Sequence, residues 1–136
     1  MHQLRVASSS GGGLTIERDE TIEYAVWDVR LEVPNLAASG HRVDAAYGPA
    51  GALARYFASL ASDWRGWTGE RAWQAVDGTL RFTATHDGLG HIALQVHLHE
   101  GVWLDAWQAR ATLNLEAGAL DALAADAARF EETSTT

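Results

Sequence analysis

The segment Thr85-His86-Asp87-Gly88-Leu89-Gly90-His91 sets two imidazoles and a carboxylate around a glycine turn. A histidine beside an aspartate is a minimal set for general acid–base chemistry, because the carboxylate can orient the ring and stabilise its charged form. No nucleophile stands at a matching position, and the chain has no cysteine. Thiol nucleophiles, thiolate metal sites and disulfides are excluded together. The same residues also read as a hairpin in which Asp87-Gly88 satisfies tight-turn geometry, and this reading carries more weight. His97 and His99 follow with a two-residue spacing that puts them on one strand face, about 7 Å apart. A zinc site needs three or four convergent ligands, and His91 lies too far along the strand to join them. The expectation is a polar, solvent-facing row that gains positive charge as pH falls towards about 6, with no metal and no cofactor.

The second concentration is Asp63-Trp64-Arg65-Gly66-Trp67-Thr68-Gly69-Glu70-Arg71-Ala72-Trp73, which holds half of the six tryptophans. An indole offers a large apolar body and one donor, suited to partner interfaces and to stacking on sugars. Arg65 and Arg71 can stack on those rings or pair with carboxylates. Against this, a segment leaving a helix must cross the open end of a core, and large aromatics plug such an end. Trp64 continues a helical stripe and is expected in the core; Trp67 and Trp73 are open between core and surface. Glu70 and Arg71 are expected to form an ordinary surface pair. The candidate binding residues are therefore Arg65, Trp67, Glu70, Arg71, Trp73, His86, Asp87 and His91, none assigned a catalytic role.

The elements that must hold these residues follow from periodicity. Leu4–Ala7 and Leu14–Glu17 are short strand candidates, separated by a Ser/Gly loop at 8–13. Tyr24–Val33 alternates apolar and charged residues, with a parity change that a bulge near Ala25–Val26 would absorb. Pro34-Asn35 ends it, and His41–Tyr47 resumes. Pro49 suits a first helical position, and Leu53, Tyr56, Phe57, Leu60 and Trp64 recur at three- and four-residue steps, with Gly66 as the stop. Thr79–His86, His91–His99 and Trp103–Glu116 read as three successive strands. Keeping their apolar rows on one side requires His86 to pair with Ile92, with 87–91 as the connecting loop. Leu120, Leu123, Ala127 and Phe130 mark a closing helix. The fold class predicted is α+β: one antiparallel sheet of about six to seven strands with two amphipathic helices on one face, in the order strands–helix–strands–helix. The repeated Ala-Gly-Ala-Leu at 50–53 and 117–120 suits either a duplicated unit or an alanine-rich coincidence.

At 136 residues, one domain covering 1–136 is expected, with 1–12 and 131–136 as flexible ends. The formal charge of −8, from 18 acidic and 10 basic residues, argues against nucleic acid, whose phosphates need clustered cations. It suits a basic protein partner, and equally it only keeps a small domain soluble. The N-terminus has no apolar signal core, and no apolar run approaches the roughly 20 residues of a membrane span, so the expected location is cytoplasmic. Every basic residue is arginine, in an alanine- and glycine-rich chain, which suggests a high-GC, actinobacterial type of source.

Trp64-Arg65-Gly66-Trp67-x-Gly69-Glu70-Arg71-x-Trp73, followed by Thr83-Ala84-Thr85-His86-Asp87-Gly88-x-Gly90-His91, resembles the actinobacterial domain-of-unknown-function family numbered 6228. The likeness runs from about Tyr24 to Phe130 and includes Leu115-Glu116-Ala117-Gly118. The family implies no activity and carries over no catalytic residue. In size, acidity and layout the chain is similar to immunity proteins of bacterial toxin systems, an analogy at the level of fold. Three readings follow. The first is a binding protein that docks or neutralises a basic partner, as a monomer or homodimer. The second is a small-molecule or carbohydrate binder using Trp67, Trp73, Trp103 and Trp107. The third is a hydrolase or metal enzyme using His86, Asp87 and His91. Catalysis is the less favoured class.

Overall fold

The structure is a computed structural model that describes residues 3–18, 26–44, 52–75, 78–100 and 106–131, with backbone alone at 41–44. The first half is a four-stranded antiparallel meander: β1 (Gln3–Ala7), β2 (Gly13–Arg18), β3 (Val26–Val33) and β4 (Leu36–Asp44). Helix α1 (Ala52–Ser62) follows. The second half repeats this order: β5 (Arg71–Gln74), β6 (Leu80–His86), β7 (His91–His99) and β8 (Gln108–Glu116) form a second meander. A single 3-10 turn, Ala117–Ala119, then leads into α2 (Leu120–Glu131). No helix among the described residues is long and apolar enough to cross a membrane.

The α+β class holds, but the single sheet of six to seven strands is corrected to two sheets of four. Period-two patterning states which face of a strand is apolar and is silent about which strand is its neighbour. Two features were unforeseen. β4 starts at Leu36, because Pro34-Asn35 is a two-residue hairpin turn rather than a gap, with Asn35 at φ +70°. β5 is only four residues long, too short to show a period. The register shift in β3 lies between Trp27 and Val29, just beyond the place expected for a bulge. Pro49, Ala45–Tyr47 and Trp103 lie outside the described residues.

One core serves both halves. The inward rows of both sheets and the apolar stripes of both helices meet in it, including Leu4, Ile16, Leu31, Phe57, Leu60, Phe82, Leu94, Leu113 and Phe130. An aromatic column crosses it. Trp27 of β3 stacks on Trp73 of β5 at 6.0 Å and meets Phe130 of α2 edge-on at 5.4 Å. Trp73 stacks on Phe82 at 5.3 Å, and Phe82 lies 6.0 Å from Phe57 of α1.

The helix ends are tied to each other and to the first sheet. Glu131, at the end of α2, accepts the Ala54 N–H in the first turn of α1 at 2.5 Å. Arg18 of β2 donates to the Phe130 carbonyl at 3.1 Å, placing a cation at the C-terminus of α2. One orphan donor at the start of α1 and one orphan acceptor at the end of α2 are thus satisfied by tertiary contacts. Burial pushes the Glu131 carboxyl above its ordinary range, against the lowering effect of the N–H groups of Ala54 and Leu53 and of Arg55 and Arg18.

Two substitutions should separate these effects in urea unfolding. Trp27→Ala is expected to cost about 3–5 kcal/mol, as a large buried aromatic does. Glu131→Ala is expected to cost about 1 kcal/mol, as a lost cap does. Equal midpoints for the two variants would contradict the central place given to Trp27.

Candidate functional site

The tryptophan-rich segment and the β6–β7 loop meet, and His86 joins them. The helical pattern ends two residues before Trp64: α1 stops at Ser62, and a Gly66 N–H to Asp63 carbonyl bond at 2.9 Å turns the chain with Gly66 at φ +140°. This carries Trp64 off the Leu60 stripe, so its expected core position is corrected: the side chain is 50% exposed. The Trp64 carbonyl points at His86 Nε2, 2.8 Å away. The Gly88 N–H donates to His86 Nδ1 at 2.8 Å. An acceptor on one side and a donor on the other set the tautomer. Nδ1 is bare and Nε2 carries the proton. Both ring nitrogens are spent on holding two loops together, so His86 is a brace and has no free lone pair for a general base.

Trp67 packs behind this brace. Its ring meets the His86 ring edge-on at 5.1 Å, and its Nε1 donates to the Ala84 carbonyl at 3.3 Å. The Arg71 guanidinium lies 5.0 Å from its centroid. Arg71 is fixed in turn. It pairs with Asp63 at 2.6 Å, not with Glu70, and reaches the Ser59 carbonyl at 3.2 Å. Tyr56 donates its hydroxyl to the Arg71 carbonyl at 2.9 Å, and burial pushes the Tyr56 phenol up against the opposing influence of Arg71. Trp73 lies deeper, between Trp27 and Phe82. Glu70 is exposed, and Arg65 stands over the face of Trp64 at 5.1 Å.

In the β6–β7 loop, Asp87 is the organiser. One oxygen accepts the Leu89 N–H at 2.7 Å and the His91 N–H at 3.1 Å, and the other accepts from His91 Nδ1 at 2.8 Å. The loop closes through Asp87 N–H to the His91 carbonyl, with Gly88 and Gly90 at positive φ. The register is the one that parity required, His86 opposite Ile92. The Leu89 backbone is consumed by this turn, whereas its side chain is 80% exposed. His91 Nε2 faces Glu116 at 3.7 Å. The hydrogen bond to Asp87, then the charges of Asp87 and Glu116, raise the His91 pKa above its ordinary value. The Leu89 N–H, followed by His91, lowers the Asp87 carboxyl to about 2. A ring set between two carboxylates has its imidazolium form favoured, the opposite of the shift that frees a general base.

Of the eight candidates, the structure brings Trp67, Arg71 and His86 into one cluster, with Asp87 and His91 in the adjoining loop and Arg65 set over Trp64. Trp73 is partly buried and packs against the core, and Glu70 is apart from the Asp63–Arg71 pair. Sequence reasoning missed Leu89, whose apolar side chain at a turn position was the available signal. It also misplaced Trp64. His97 and His99 do lie side by side, with ring centroids 5.4 Å apart. No group of three or more metal-ligating side chains occurs among the described residues. An apolar depression of about 190 Å³ lies elsewhere, between β1, β8 and α2, lined by Val6, Leu115, Leu120 and Leu123 among others. No aromatic ring lines it.

A family model matches residues 12–134, nearly the whole chain, and its description is a family of unknown function, DUF6228. The chain belongs to this family. No curated protein and no solved structure matches it. The DUF6228 region contains both joined loops, from Trp64 to Trp73 and from His86 to His91.

The electrostatics of the loop give a test. The Asp87 contribution to stability is present above its unfolded pKa of about 3.9 and is lost as pH falls through about 2. The His91 contribution is complete below about 6.5 and is lost as pH rises through its higher folded value. In an NMR titration, the His91 ring should have its midpoint above 6.5, and Asp87→Asn should move it down. An unchanged midpoint in that variant would show that Asp87 does not hold the ring.

Proposed function

We propose that this DUF6228 chain is a protein-binding domain. It would dock a basic partner through the composite surface of Trp64, Arg65 and Leu89, in the manner of a protein that neutralises a toxin. The observation that carries this reading is that a large aromatic and a leucine are held out in solvent on two loops that are themselves braced. His86 bonds to both loops, and Asp87 fixes the turn that presents Leu89. Preorganised anchors lose little freedom on binding, which is how a small patch gains affinity. Tryptophan is the residue type most often found at the energetic centre of an interface, and Arg65 over its face adds a second favoured type. Asp63 and Asp87 lie on these loops and Glu116, at the end of β8, faces His91; with a net charge of −8 they favour a basic partner.

The other two readings draw less support. Of the four tryptophans of the carbohydrate reading, Trp103 lies outside the described residues, Trp107 is exposed just before β8, and Trp67 and Trp73 face the protein's own rings, which leaves a sugar little to stack on. His86 and His91 have separate partners and do not converge on a reacting atom.

Trp64→Ala and Leu89→Ser should each weaken binding of the partner recovered with the native protein by about 2 kcal/mol, while the melting temperature stays unchanged. The on-rate should fall as salt rises. Wild-type affinity in both variants, measured by calorimetry, would remove this surface from the interface.

A further inference from the structure

The outward face of β5–β8 carries a charge pattern opposite to that of the chain as a whole. Arg81 of β6 is directly opposite His97 of β7, and His97 is directly opposite Arg110 of β8. Directly opposed residues have Cβ atoms about 4.5–5.5 Å apart, so the Cβ atoms of the two arginines lie about 10 Å apart on either side of His97. The inward neighbours Phe82, Val96 and Ala109 are buried, which fixes the other parity as solvent-facing. His99 adds a second imidazole, its ring 5.4 Å from that of His97. Gln108 accepts from His97 Nε2 at 3.0 Å and so orients the ring.

Arg81 and Arg110 have no ion pair and no side-chain hydrogen bond among the described residues. Most other arginines are engaged. Arg5 bonds Thr15, Arg18 the Phe130 carbonyl, Arg71 pairs with Asp63, and Arg129 with Asp126. In a chain with 18 carboxylates this is a marked separation. On the outward positions of β5–β8 the only carboxylate is Glu116, which lies three pairs along from the row, opposite His91. That is about 20 Å away.

We propose that this row is a binding site for a small ligand bearing a phosphate group, with the oxyanion seated over His97 and forked by Arg81 and Arg110. Guanidinium groups match tetrahedral oxyanions with paired, charge-assisted hydrogen bonds. The next row, Thr83–Gln95–Thr112, offers neutral donors and acceptors about 7 Å further along for the rest of the ligand. A small anion feels mainly the local field, because screening limits the reach of the surrounding carboxylates, Glu100 just beyond His99 among them, to about 8 Å at physiological salt. A nucleic-acid strand extends past the row and meets the acidic surface, and this face shows no aromatic ring on its described positions for bases to stack on.

The test is an NMR titration of the full chain at constant ionic strength, observing the Arg Nε–H and His97 ring signals. The probes are inorganic phosphate, adenosine monophosphate and a ten-residue oligothymidylate. Saturable shifts at Arg81, His97 and Arg110 with either of the first two are expected. Tighter binding of the nucleotide would point to a phosphate ester, and equal binding to free phosphate. Arg81→Gln and Arg110→Gln should each weaken the affinity about tenfold or more, whereas Arg129→Gln should leave it unchanged. Circular dichroism confirms that each variant is folded. No shift at these three residues, an equal loss in Arg129→Gln, or tenfold tighter binding of the oligonucleotide would each overturn the proposal.

Discussion

Trp27 and Trp73 stack across the boundary between two sheets that share no backbone ladder. A strand pair is held by its hydrogen bonds, but two separate sheets are held by what lies between them. Here that is an aromatic column reaching from β3 through β5 and β6 to both helices. Each such ring pair adds about 0.5–1.5 kcal/mol beyond the area it buries. Polar ties reinforce the boundary at its far edge. Ser8 accepts the Asn114 N–H at 3.0 Å and the Ser9 N–H reaches the Asn114 carbonyl at 2.9 Å, so the β1–β2 loop is clipped to β8. Glu131 and Arg18 do the same for the helix ends.

The surface candidates inherit their positions from this column. Trp73 places β5, and β5 begins at Arg71. Arg71 is tied back to α1 through Tyr56, Ser59 and Asp63, so the 63–70 segment is anchored at both ends. His86, at the end of β6, then fastens it at the Trp64 carbonyl and meets the Trp67 ring edge-on. An exposed loop held by the core in this way loses little conformational freedom when it binds. The repeated order of four strands and a helix makes the asymmetry plain. The first helix exits into the tryptophan-rich segment, whereas α2 closes against the first turn of α1.

Face assignments were legible in the sequence, and neighbours were not. Parity alone gave the pairing of His86 with Ile92, because a one-residue slip would have turned Leu80, Phe82 and Ala84 away from Ile92, Leu94 and Val96. The same parity fits one sheet or two, so the number of sheets was out of reach. Trp64 fits the helical period of Leu53, Tyr56 and Leu60, but a period has no end mark, and the helix stops before it. Trp73 had no pattern to read, since four residues make only two turns of a two-residue repeat. His86 was legible as a residue of interest but not in its role. Its partners, the Trp64 carbonyl and the Gly88 N–H, are backbone groups that no side-chain motif announces.

Composition treats the three tryptophans of 64–73 alike, and structure divides them by what each can satisfy. Trp73 has rings on two sides, and Trp67 has a carbonyl for its N–H, an imidazole edge and a guanidinium on its face. Both are accounted for by the fold. Trp64 contributes its carbonyl to the His86 brace, and a carbonyl is available from any residue type. Leu89 contributes its N–H to Asp87, and again any residue but proline would serve. The fold therefore explains the backbone at both positions and neither side chain. Apolar area left in water gives up about 25 cal/mol per Å² that burial would return. Two such side chains on loops joined through one histidine make this a part of the described DUF6228 surface whose chemistry the folding of the chain does not require.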